Sequence, residues 1–126
     1  MAAIILNSSF TLNSSTGTDP VNISIAPNFS TVDPSGSGSQ QLSPGVTYPI
    51  LSVAGTTDYY VLIRNIGMAS GTKHGNVHVR TGTSESIALL KPNDFMFFPL
   101  KAGVGLQVVY DSSATTVDWF YWTRSG

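Results

Sequence analysis

The sequence predicts an all-β chain, an antiparallel β-sandwich of eight or nine short strands, with the jelly roll as one form it can take. Three observations carry this. No ten-residue stretch free of Gly and Pro has the apolar spacing of a helix. Short runs rich in β-branched and aromatic residues recur instead, with turn signals every eight to twelve residues. The last third of the chain, 91–124, also holds two dense aromatic runs, Phe95-Met96-Phe97-Phe98 and Trp119-Phe120-Tyr121-Trp122. Strand side chains alternate between faces, so Val117, Trp119 and Tyr121 fall on one side of a sheet and Phe120 and Trp122 on the other. A sheet wet on one side would alternate apolar with polar. This one calls for cover on both: the domain's own core on one face, and a second layer, a long loop or another chain on the other.

Taken in order, Ala3 to Leu12 and Val21 to Pro27 read as strands, the second alternating Val21, Ile23 and Ile25 with Asn22, Ser24 and Ala26. Asp19-Pro20 and Pro27-Asn28 punctuate them as turns. Residues 33–45, Asp-Pro-Ser-Gly-Ser-Gly-Ser-Gln-Gln-Leu-Ser-Pro-Gly, have the composition of a flexible loop or linker. They are expected to form a surface loop within a single sandwich domain spanning 1–126, the alternative being a boundary behind an amino-terminal arm. Val46 to Val53 contains Pro49, which suits an edge strand or a bulge. Asp58 to Ile66 is apolar on both faces, with Tyr59, Val61 and Ile63 on one and Tyr60, Leu62 and Ile66 on the other. Asn76 to Thr81, Ser86 to Leu90, Asp94 to Leu100, Gly105 to Asp111 and Thr115 to Arg124 complete the strands, the last two joined as a hairpin.

Composition excludes several functions. There are no cysteines, which removes disulfides, zinc–thiolate sites and thiol catalysis. Charged residues are 10% of the chain, against about 25% in an average soluble domain. With a net charge of −1 the chain has no field that would draw a phosphate backbone, so no nucleic-acid partner is expected. Weak colloidal repulsion points instead to permanent assembly. The amino terminus has no basic n-region and too short an apolar run for a signal peptide or a bilayer span, so no membrane partner is expected.

No residue pattern names a reaction, and the chain reads as non-enzymatic, with no catalytic residue, cofactor or metal site. His74 and His78 are the only imidazoles, but strand rise would hold them about 13 Å apart. Asp111 and Asp118 flank the final hairpin, where Asp is ordinary turn chemistry. Gly103-Val104-Gly105 lacks the third glycine and following helix of a dinucleotide loop. Trp119, Tyr121 and Trp122 could stack on sugar rings, although such a stripe is more often core or subunit interface.

From Tyr59 onward, about half of the chain resembles the small β-sandwich structural proteins of tailed-bacteriophage virions. The stretches that carry this are Tyr60 to Gly67, a strand ending in Arg64-Asn65; Leu90 to Leu100, a Pro-containing turn into an aromatic strand; and Val108 to Tyr110 with Val117 to Trp122, a closing aromatic strand. Such proteins often have Pro-Gly-Glu at that turn, where Pro92-Asn93-Asp94 stands here. The resemblance implies a capsid decoration (cement) protein, or a tail or fibre component. It would be made in the host cytoplasm and carried on the virion surface. Its partners would be the major capsid protein and further copies of itself, as a dimer or trimer. Tyr60, Arg64, Phe98, Phe120 and Trp122 are the expected interface residues.

Overall fold

The computed structural model describes residues 3–7, 9–13, 22–25, 28–42, 45–67, 75–110 and 115–124. All regular structure among them is strand, in the order β1 (Ala3–Asn7), β2 (Phe10–Asn13), β3 (Asn22–Ile25), β4 (Asn28–Leu42), β5 (Thr47–Leu51), β6 (Tyr59–Gly67), β7 (Val77–Arg80), β8 (Ser86–Leu90), β9 (Phe95–Leu100), β10 (Leu106–Tyr110) and β11 (Thr115–Arg124). One sheet runs β1-β4-β11-β6-β9 and the other β5-β10-β7-β8, with β2 and β3 paired as a separate ribbon. Every pairing is antiparallel. From β4 onward the pairs are nested, β4 with β11, β5 with β10, β6 with β9 and β7 with β8. A long hairpin folded over in this way, with its strand pairs dealt alternately to two sheets, is the double Greek key of a jelly roll. The all-β sandwich read from the sequence is thus the observed fold.

The core lies between the two sheets. Val61 and Ile63 of β6 and Val117 and Trp119 of β11 meet Val77, Val79, Leu106 and Val108 of the second sheet, all buried. Tyr48 of β5 lays its ring 5.3 Å from that of Trp119, joining the layers. Asn65, at the end of β6, is a fully buried polar side chain beside these residues. Asn65 donates from Nδ2 to the carbonyls of Gly75 (2.9 Å) and Leu90 (3.0 Å). Its Oδ1 accepts from the Gly67 amide (3.1 Å) and the Thr115 hydroxyl (2.7 Å). All four valences of the amide are satisfied, so one side chain ties the end of β6 to β8, β11 and the segment before β7.

The loop expected over 33–45 is corrected. Residues 33–42 belong to β4, which pairs with β11 continuously from Ser35 to Leu42 and again at Thr31 and Val32. What reads as linker composition is a strand with two different faces. Ser35, Ser37 and Ser39 are exposed on the outside. Gly36 and Gly38 point inward opposite Tyr121 and Trp119, and a Cβ on either would overlap those rings. The glycines are the space in which the two aromatic side chains lie. At the other predicted irregularity, Lys91-Pro92-Asn93-Asp94 is a turn closed by the Asp94 amide on the Lys91 carbonyl (2.9 Å). Asn93 takes φ +75° there, with Pro92 just before it. That is the left-handed third position of a type II turn, where Gly is most at ease and Asn is tolerated.

Candidate functional site

The face of the first sheet turned away from the core is where apolar surface accumulates. Register sets it out as three cross-strand rows over β4, β11, β6 and β9: Ser35, Trp122, Tyr60, Pro99; then Ser37, Phe120, Leu62, Phe97; then Ser39, Asp118, Arg64, Phe95. The period of two fixes this, because the partners of each row, Val61, Ile63, Val117 and Trp119, are spent on the core.

Four of the five residues expected at an interface share this face: Tyr60, Arg64, Phe120 and Trp122. Phe98 does not, and its assignment is corrected. It lies opposite Val61 and packs against the core, while Phe95 (53% exposed) and Phe97 (36% exposed) take the outer positions on β9. Both faces of Phe95-Met96-Phe97-Phe98 are apolar, so nothing in the sequence tells the inner pair from the outer, and a one-residue change of register exchanges them. Phe29 was also missed, because the chain around it carries no motif.

The rings form two stacks, each capped by an arginine. Phe120 and Trp122 stand 6.3 Å apart and 15° from parallel, with the Arg64 guanidinium 5.6 Å over Phe120. Tyr60 and Phe97 stand 5.9 Å apart and 11° from parallel, with Arg124 5.0 Å over Tyr60. At such exposed sites each cation–π contact contributes about 0.5–1 kcal/mol. Arg64 is also held by Asp118 in a two-pronged pair, Nε to Oδ1 at 3.0 Å and Nη2 to Oδ2 at 2.6 Å. Hydrogen bonding to that carboxylate, and then its charge, raise the guanidinium above its ordinary range. Arg64 therefore stays charged throughout the neutral range. Phe29 of β4 closes one end of the face, its ring 4.9 Å from Tyr60 and 5.1 Å from Phe97. Phe10 of β2 sits 6.4 Å from Phe95.

This arrangement offers adhesion, through aromatic area with fixed ring orientations and a few cations. Among the described residues no group of three or more His, Cys, Asp or Glu could hold a metal ion. His78 stands on β7 opposite Val109 and Leu89, on the other sheet. Asp118 is committed to Arg64. His74 and Asp111 lie outside the described residues.

The fold and this face define a class: a jelly-roll sandwich with an aromatic, arginine-capped outer sheet. No protein-family model and no curated protein matches the chain. Among solved structures, one similar to it is an ethanolamine utilization protein Q from Salmonella typhimurium, 13% identical, with a TM-score of 0.44 over 97% of this chain and 99% of that one. A likeness at that level carries no argument about function.

Proposed function

We propose that this chain is a non-enzymatic structural protein that works by adhesion, as a decoration protein on the outer surface of a phage capsid. The observation that carries the adhesive reading is the outer face of the first sheet, where Tyr60, Leu62, Phe95, Phe97, Phe120 and Trp122 remain wholly or partly open to solvent in a chain with only 10% charged residues. The resemblance of the β6, β9 and β11 sequences to tailed-phage virion proteins supplies the capsid. Laid across a joint between major capsid proteins, such a face resists separation, because opening the joint returns apolar area to water at about 25 cal/mol per Å². Stacked aromatics beside arginines are the side chains that dominate interface energetics.

Two results test the reading. Gel densitometry of purified particles is expected to give a copy number comparable with that of the major capsid protein; a number matching the far rarer tail subunits would overturn the capsid assignment. Trp122→Ala is expected to leave the melting temperature of the isolated chain nearly unchanged while weakening particle binding about 30-fold, equivalent to about 2 kcal/mol.

The serine row Ser35, Ser37 and Ser39, running beside Trp122 and Phe120, favours a second reading: a tail or fibre subunit that touches host glycans, or a carbohydrate-binding module. Tail-level copy number together with glycan-dependent tryptophan fluorescence would select it.

A further inference from the structure

The first three strands and the start of β4 pair largely among themselves. β1 pairs with β4 over Asn28 to Val32, and β2 pairs with β3. A two-stranded ribbon alone is marginal in water, so β2 and β3 need a surface to rest on. Among the described residues, the ring contacts that attach this arm to the sandwich are those of Phe29 with Tyr60 and Phe97, and of Phe10 with Phe95. Its ladder contact with the sandwich is short, Val32 with Thr123 and Thr31 with Arg124. Directly after it the register with β11 slips, passing from Val32 to Ser35 and leaving Asp33 and Pro34 without partners on β11. On the far side of that slip β4 is locked, because Gly36 and Gly38 lie beneath Tyr121 and Trp119.

The geometry points to Tyr60, Phe95 and Phe97 as a docking seat for the amino-terminal arm of a second copy of this chain, exchanged reciprocally about the Asp33–Pro34 slip. The occupant's chemistry is read from the chain itself, whose own Phe29 and Phe10 lie against those rings and leave them partly open. Exchange replaces each ring contact by an identical one in trans. It costs the translational and rotational freedom of one partner and brings the open rings of two outer faces near a common twofold axis. Within one chain the tether favours closure, so exchange is a property of concentrated or assembled copies. The inference rests on the placement of the arm and is independent of the capsid reading.

The chain has no cysteine, which makes the test clean. Single variants Phe10→Cys and Phe95→Cys are unfolded, mixed, refolded together at millimolar concentration, diluted and treated with a short bismaleimide; the Phe29 contacts remain intact in both. The expected product is a covalent heterodimer on denaturing gels, at least tenfold more abundant than when Phe10→Cys is paired with Ser86→Cys, on the opposite sheet. The double variant Phe10→Cys/Phe95→Cys, at low concentration, is expected to link internally. Internal linking with no heterodimer would overturn the exchange. Equal heterodimer with the Ser86 partner would reduce it to random collision, and a double variant that fails to link internally would remove the seat.

Discussion

Replacing Asn65 with Ala is expected to lower the unfolding free energy by about 3–5 kcal/mol, and the melting temperature by roughly 15 °C. The side chain is fully buried, and its amide serves four partners on three different segments besides its own strand. Truncation removes all four bonds together. The carbonyls of Gly75 and Leu90, the Gly67 amide and the Thr115 hydroxyl are left in a site from which water is excluded, and a buried polar group without a partner costs about 1–3 kcal/mol. Thr115→Val removes one of the four and is expected to cost about 1 kcal/mol. Urea denaturation followed by tryptophan fluorescence measures both. A loss under about 1 kcal/mol for Asn65→Ala would mean that water enters and replaces the amide.

The second large effect is expected at Gly38, where the sign of the change separates two descriptions of the same residues. In a flexible linker, Gly38→Val would be neutral or slightly stabilising, because it lowers the entropy of the unfolded chain. In β4 the added side chain meets the indole of Trp119. Moving that ring disturbs the Tyr48 contact and the centre of the core, and overpacking of this kind costs about 2–3 kcal/mol. Ser37→Val, one residue away on the exposed face, is expected to change stability by less than about 0.5 kcal/mol. Equal effects at the two positions would contradict the two-faced strand.

These two sites show how much of the fold was legible in the sequence and where legibility stopped. The strands from β5 to β11 could be read because β-branched and aromatic residues alternate between clear turn signals; Ser86–Leu90 and Thr115–Arg124 come out with the very bounds predicted. β4 was hidden because serine and glycine are poor strand formers individually. Its signal was the strict alternation Ser35-Gly36-Ser37-Gly38-Ser39, a period of two with space rather than bulk on the inner face. The Asn65 hub is invisible in sequence, since three of its four partners lie 10, 25 and 50 residues away. On the outer face, Tyr60, Arg64, Phe120 and Trp122 followed from alternation within two strands. Phe98 failed because the inward side of an all-apolar strand depends on register with its neighbour.

The central claim is that the outer face carrying Phe120 and Trp122 is covered on assembly, and the chain's two tryptophans provide a direct reading. Trp119 is 8% exposed within the core, whereas Trp122 lies half-buried on the outer face. Iodide quenching of the free chain should therefore act on Trp122 and spare Trp119. With the chain bound to particles, the quenchable fraction is expected to fall nearly to zero. An unchanged fraction in the bound state would mean that this face still looks into solvent and that binding uses another surface.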